Sequence, residues 1–382
     1  MNVALKPLDN NFIIDSALDA INNERNSIQS GLISRWPVLN RSVLKYFRFE
    51  DIITFGGASG SGKSYITNML RTDFTDQEDI VIPVNKNWST SLLDHVEKNS
   101  EFTIQGDKLI RYALNKECNE KVLFLEFAYD MAPKKETIRT LVTMTGYAYN
   151  YILSSKSEKD GKGGYNYNTL SEEEYDFVSS VAKAFKNRRN ILTYNTIGTI
   201  EQVGLTIREA KKRYPDRKII VKIDHTLLIK KENESNDFEI QNNIIRKCID
   251  IRDDIGALFI LICQTNNEME DDRRRLTPVL HYPTKKDLYA GGQVYQGSDY
   301  VFVTSMPSKL GISEYGTFKM PTKDLIHCSM IKSRDDQEGQ IWLKNGLNIG
   351  RITSQSYDNH TKTFTEYSNL NDTTKIINKT LF

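Results

Sequence analysis

The chain lacks the features that mark secreted, membrane-embedded or charge-coated proteins. It has four cysteines in 382 residues, Cys118, Cys248, Cys263 and Cys328, and no C-x-x-C pair. That excludes a zinc ribbon or a disulfide framework and suits reduced thiols in a cytosol-like compartment. No apolar run reaches the about 18 residues of a membrane span, and no basic-then-apolar signal peptide opens the sequence, so neither membrane insertion nor secretion is expected. Lys+Arg 51 against Asp+Glu 50 leaves a net charge of +1. With no global field, any contact to nucleic acid has to come from local basic clusters. Internal repeats are absent too. The 39% hydrophobic content suffices for the core of a soluble globular protein with one large α/β domain plus extensions, or two smaller domains.

Against that background one segment stands out, Gly57-Ala58-Ser59-Gly60-Ser61-Gly62-Lys63-Ser64. It completes the pattern G-x-x-x-x-G-K-[ST] in the required context, after the β-rich run Ile52–Phe55 and before Tyr65, Ile66, Met69 and Leu70 at helical spacing. In such a strand-to-helix turn, free backbone N–H groups and the helix N-terminus cradle polyphosphate. Lys63 is expected to reach the β/γ oxygens and Ser64 to hold Mg²⁺, which makes ATP and Mg²⁺ the expected cofactors.

Further apolar runs at Val122–Leu125, Ile219–Ile223, Leu258–Cys263 and Tyr300–Val303, mostly separated by polar helical stretches, suit strands buried on both faces of a mostly parallel sheet flanked by helices. Ahead of them, Ile14, Ala17, Leu18 and Ile21 make the stripe of one short amphipathic helix, packed on its own domain or on a neighbouring subunit. Lys156–Gly164 reads as a mobile surface loop without chemistry. Leu170–Asn187 reads as a helix with Ser171 as N-cap and Glu174 completing a capping box. The Asn-, Thr- and Ser-rich end reads as a weakly ordered tail. The expected division is an N-terminal segment at 1–30, an ATPase domain at 31–354 and a polar tail at 355–382.

Hydrolysis needs a metal-holding acid and a group that activates water. Lys218-Ile219-Ile220-Val221-Lys222-Ile223-Asp224 is an apolar strand ending in a carboxylate, the form of a Mg²⁺-holding acid, which selects Asp224. Val122-Leu123-Phe124-Leu125-Glu126 ends in a carboxylate where parallel strands deliver groups to a ligand. Glu126 is the expected general base. The next apolar run ends in Gln264, whose amide is suited to sensing the γ-phosphate.

These residues, in this order, resemble the RecA-like ATPase domain of the DnaB family, the hexameric helicases that include phage primase-helicases and the Twinkle type. The resemblance spans roughly residues 30 to 352. It includes Leu39-Asn40, Leu125-Glu126 followed by Arg139, and Ile223-Asp224-His225-Thr226-Leu227-Leu228-Ile229. Its most specific part is Asp287-Leu288-Tyr289-Ala290-Gly291-Gly292 with Gln296-Gly297-Ser298-Asp299, then Lys332-Ser333-Arg334 as the family's K-x-R pair. Tyr289 departs from the family's Arg, which puts one backbone contact to DNA in doubt. Asp335-Asp336-Gln337-Glu338 replaces a short Gly-containing turn and adds acid beside the proposed finger.

The resemblance implies a homo-oligomer, expected to be a hexamer, in which Lys332 and Arg334 reach the γ-phosphate bound by the adjacent subunit. It further implies DNA replication as the setting, single-stranded DNA as partner, and a bacterial or phage-infected cytoplasm. The N-terminal segment is too short for the family's collar or primase domain, so a separate primase or loader is expected. The region matching the pore loops, Asn266 to Lys286, carries Arg273, Arg274, Arg275, Lys285 and Lys286 with Tyr282 between them. Such clusters neutralise phosphates while an aromatic stacks on a base. Arg188-Arg189 and Lys211-Lys212-Arg213 read as solvated helix ends. A recombinase-like filament ATPase and a regulatory ATP-binding scaffold without a motor remain open, and a nucleotide kinase lacks its lid arginines.

Overall fold

The computed structural model describes residues 9–367 apart from 156, 160–163, 233 and 336. Its centre is one ten-stranded sheet. In chain order its strands are β1 (Ile52–Gly57), β2 (Val122–Ala128), β3 (Ile191–Tyr194), β4 (Lys218–Asp224), β5 (Leu258–Ile262), β6 (Tyr300–Ser305), β7 (Leu325–Ser333), β8 (Gly339–Gly346), β9 (Arg351–Asp358) and β10 (Thr363–Tyr367). Across the sheet the order is β10-β9-β8-β7-β6-β1-β5-β4-β2-β3. The six strands from β6 to β3 run parallel. The other four continue the sheet as an antiparallel wing. This is the α/β, mostly parallel architecture expected, and all five apolar runs are strands.

The parallel strands are buried throughout because helices cover both faces. Side chains alternate sides along a strand. Ile53, Phe55, Phe124 and Ile220 pack with Ile66, Met69, Leu70 and Phe74 of helix α2 (Lys63–Phe74) on one face. Ile52, Leu123, Leu125, Ile219 and Val221 face the other way, against α5 (Ile200–Arg213) and α6 (Asp237–Ile255). Removing each such side chain from water contributes about 1.5–3 kcal/mol. Helix α3 (Pro133–Thr145) follows β2 and contacts α2, and α4 (Glu172–Lys186) opens with the expected Ser171/Glu174 capping box. A six-residue helix, α7 (Gly292–Gly297), leads into β6.

Three expectations meet a different structure. The helix expected near the N-terminus is α1 (Asn10–Arg25), and none of its residues is buried, with Leu18 57% and Ile21 65% exposed. It therefore does not pack on its own domain. The tail expected from residue 355 begins inside β9, and Thr363–Tyr367 pairs with β9 as the outermost strand. There Thr and aromatic residues alternate, a β pattern hidden by the polar composition. Residues 368–382 lie outside the described residues, as does most of the Lys156–Gly164 loop, whose flanks Ser157–Lys159 and Tyr165–Tyr167 pair as a two-stranded ribbon. Arg188, expected as a solvated helix end, is instead ion-paired with Asp76 in a cluster that also contains Arg111, Glu101, Arg35 and Asp73. Among the described residues no helix is long and apolar enough to cross a membrane. The four cysteines are free and buried.

Candidate functional site

The phosphate-loop sequence forms the turn from β1 into α2. Gly62 caps α2 at φ 95° and Gly60 sits at φ 75°, backbone that a side chain would strain. The loop is braced from β6 by the Ser61 and Thr304 hydroxyls, 2.9 Å apart. Lys63 is 8% exposed, and its Nζ donates to the Ala58 carbonyl at 3.1 Å. Burial pushes the Lys63 pKa below its ordinary value, against the pull of the Asp224 and Asp130 carboxylates. Ser64 is half-buried in the first turn of α2. Lys309, which sequence reasoning passed over, donates to the Gly60 carbonyl at 2.9 Å. Its only sequence signal is a position just after a strand that neighbours β1.

Four adjacent strands, β1, β5, β4 and β2, end at this edge of the sheet, so their exits deliver side chains side by side, about 4.8 Å apart. Gln264 follows β5 and Asp224 closes β4. The Gln264 amide nitrogen lies 3.5 Å from His225 Nε2. Burial lowers the His225 pKa, opposed by Asp130 and Asp224. Asp224 is 2% exposed, its Oδ2 is 3.7 Å from Lys222 Nζ, and its Oδ1 has no hydrogen-bond partner. A buried carboxylate oxygen left unpaired is costly in a protein interior. A hard cation would satisfy it, so the residues present fit Mg²⁺ held by Asp224 and Ser64. Among the described residues no group of three or more His, Cys, Asp or Glu is placed to hold a metal. That suits an ion that keeps waters and shares its coordination with substrate phosphates.

Glu126, the expected base, is elsewhere. It lies in register with Lys222, whereas Ala128 is level with Asp224, so Glu126 sits two residues, roughly 6.6 Å, deeper in the sheet than the metal acid. It is 0% exposed. Oε1 accepts from Lys222 Nζ at 2.9 Å, and Oε2 accepts from Arg71 Nη1 of α2. Arg71 also donates to Thr140 at 2.8 Å, and Glu136 of α3 stands 3.5 Å from Lys222. Burial pushes the Glu126 pKa up, but Lys222 and Arg71 outweigh it and hold the group down at about 2. Burial leaves Glu136 raised.

Arg139 stacks over the Tyr65 ring at 4.5 Å. Lys332 and Arg334 stand at the opposite edge. β7 is antiparallel to β6, and Ser333 is level with Tyr300 and, through it, with Ile53. That is four residues, ~13 Å along the strands, short of Gly57. Lys332 Nζ donates to the Tyr295 and Gln296 carbonyls at 2.7 and 2.8 Å, at the end of α7. Arg334 Nη1 is 2.8 Å from Asp299 Oδ1 with its side chain 49% exposed.

The basic loop divides. Arg273, Lys285 and Lys286 are exposed. Arg275 pairs with Asp272 at 2.9 Å. Arg274 is bidentate to Asp287, which is 1% exposed, and donates to the Tyr282 carbonyl at 2.9 Å, so it knots the loop and is not offered to solvent. Tyr282, expected to stack on a base, is half-buried edge-on to Tyr315 and His327. Its neighbours come from Glu314–Tyr315 and β7, contacts that a local reading of the loop does not contain. Tyr289 donates its hydroxyl to Asp237 at 3.0 Å.

No family model and no curated protein matches this chain. Among solved structures, it is similar to a helicase ATPase domain, at 16% identity and a TM-score of 0.62, over 89% of this chain and 97% of that one. It is also similar to a DnaB-like replicative helicase described with its interactions with primase, at 16% identity and a TM-score of 0.61, over 88% of this chain and 66% of that one. The present chain thus spans just under two thirds of the second structure's length. Both likenesses establish the fold, that of a RecA-like ATPase domain of the DnaB type.

Proposed function

We propose that this chain is the motor of a DnaB-type ring helicase, which hydrolyses ATP with Mg²⁺ where subunits meet and moves on single-stranded DNA. The observation that carries this reading is the unpartnered Asp224 Oδ1, two strands from a complete phosphate loop at the same sheet edge. In this scheme the loop from Gly57 to Ser64 wraps the phosphates, Lys63 meets the γ-phosphate, and Ser64 and Asp224 hold the metal. The metal, when bound, neutralises charge that builds on the β- and γ-oxygens. Gln264, beside His225, senses loss of the γ-phosphate.

The position of Lys332 and Arg334 supports shared sites. From the far edge of the sheet they do not reach the phosphate loop of their own chain, whereas a neighbouring copy in a ring would present its loop to them. Lys332 is committed to the end of α7, so Arg334, half exposed, is the finger in this reading. Arg273, Lys285 and Lys286 are the remaining candidates for DNA phosphates. A separate primase or loader is proposed as partner.

The test is the ATPase rate with and without single-stranded DNA, read alongside mass in solution and unwinding of a forked duplex. DNA-stimulated hydrolysis by a closed oligomer that opens the fork is the expected result. Open helical filaments without unwinding would move the chain to the recombinase-like reading. ATP binding without hydrolysis would leave a regulatory scaffold.

A further inference from the structure

On the face of the sheet that meets α2, the positions offered by β2 and its exit are 124, 126, 128 and 130, because side chains alternate with a period of two. Phe124 is core. Glu126 faces Lys222 in register, and Ala128, level with Asp224, has no functional group to offer. The next residue of that parity is Asp130. It is exposed in the short segment between β2 and α3, and its main chain is pinned beside the metal acid. Its backbone N–H donates to the Asp224 carbonyl at 3.3 Å, and that of Tyr129 donates to the same carbonyl at 2.8 Å. Its carboxylate acts electrostatically on both Lys63 and His225. Glu126, by contrast, could reach a water at the γ-phosphate only by leaving two buried cations, Lys222 and Arg71, without their anion.

From this placement we infer that Asp130 is the carboxylate that orients the attacking water and takes its proton, and that Glu126 is a positioning residue that ties β2 to β4 and α2. The inference rests on the ATP-hydrolysing reading above. In the step, the water oxygen bonds to the γ-phosphorus as the bond from that phosphorus to the β–γ bridging oxygen breaks. ADP leaves with the bonding pair. The water proton passes to Asp130 and from there to solvent.

The experiment uses the full chain with Asp130→Asn and Glu126→Gln variants. It measures single-turnover ATP hydrolysis with single-stranded DNA, binding of a fluorescent non-hydrolysable ATP analogue with and without Mg²⁺, and thermal melting. Asp130→Asn is expected to keep the wild-type melting temperature and analogue affinity while hydrolysis slows about 10²–10⁴-fold, the usual contribution of a positioned base. Glu126→Gln is expected to melt at a lower temperature and, held below that temperature, to retain hydrolysis. Asp130→Asn hydrolysing at the wild-type rate overturns the inference, and so does an inert Glu126→Gln protein of unchanged melting temperature. If the wild-type chain binds the analogue but never hydrolyses ATP, it is the hydrolytic reading that fails, before either variant is weighed.

Discussion

The two edges of the parallel sheet treat their polar groups in opposite ways. At the edge where the phosphate loop lies, Asp224 leaves a buried carboxylate oxygen without a partner, and Lys63 rests on a carbonyl of its own loop. At the other edge Lys332 caps two helix carbonyls and Arg334 lies on Asp299. The first edge carries an unmet electrostatic demand that a metal and polyphosphate would satisfy. The second carries cations already stabilised within the chain, one of them half exposed and able to swing away from a single carboxylate. A site divided between copies needs this asymmetry, a receptive edge and a donating one.

The sharpest way to break that comparison is Arg334→Ala. If the donating edge completes a neighbour's site, ATP turnover falls by about 10³–10⁵-fold, the worth of an arginine finger. Mixing this variant with Lys63→Ala subunits, which keep their Arg334, should recover turnover above that of either variant alone. Steady-state ATPase rates would reveal it, and an Arg334→Ala protein with the wild-type rate would remove the donating edge.

Below the receptive edge, Lys222→Met leaves Glu126 and Glu136 buried with only Arg71 beside them. Loss of one partner from a buried ion pair costs about 3–5 kcal/mol. Urea unfolding should show that loss, and an unchanged midpoint would mean that the cluster is not what ties β2 to β4.

The antiparallel wing adds a pH test. His327 of β7 is fully buried between Tyr315 and Trp342, and burial, partly offset by the Gln340 hydrogen bond, pushes its pKa down to about 4. The unfolded chain therefore binds a proton that the folded chain refuses. Stability is complete above the unfolded value, near 6.5, and declines as pH falls toward 4, by up to about 3 kcal/mol. Wild-type melting, compared with that of His327→Gln, should carry that slope, and equal slopes would place the sensitivity elsewhere. The smallest effect concerns DNA. Each of Arg273→Ala, Lys285→Ala and Lys286→Ala should lower the slope of log affinity against log salt by about 1 if it removes a phosphate contact.

What the chain announces locally was legible, and what depends on register was not. The phosphate loop, the five buried strands and the α4 capping box each lie within a dozen or so consecutive residues, so spacing and residue type suffice to find them. β3 escaped notice because Ile191–Tyr194 is a short edge strand only partly buried. β9 and β10 escaped because their alternation is written in Thr, Ser, Gln and Tyr. Glu126 has the right residue type at the end of the right run. Its neutralisation comes from Lys222, 96 positions away, and Arg71, 55 positions away, and only strand pairing brings them together. Arg274 and Tyr282 look available for the same reason, since the partners that occupy them sit on other elements.

The grip of Lys332 on the last carbonyls of α7 has a mechanical meaning. That helix continues the chain from the basic loop, so the loop, the helix and the end of β7 form one linked train. Tension applied to the loop by a strand of nucleic acid would be felt at Arg334, next along the chain, as a change in how firmly it is tethered to Asp299.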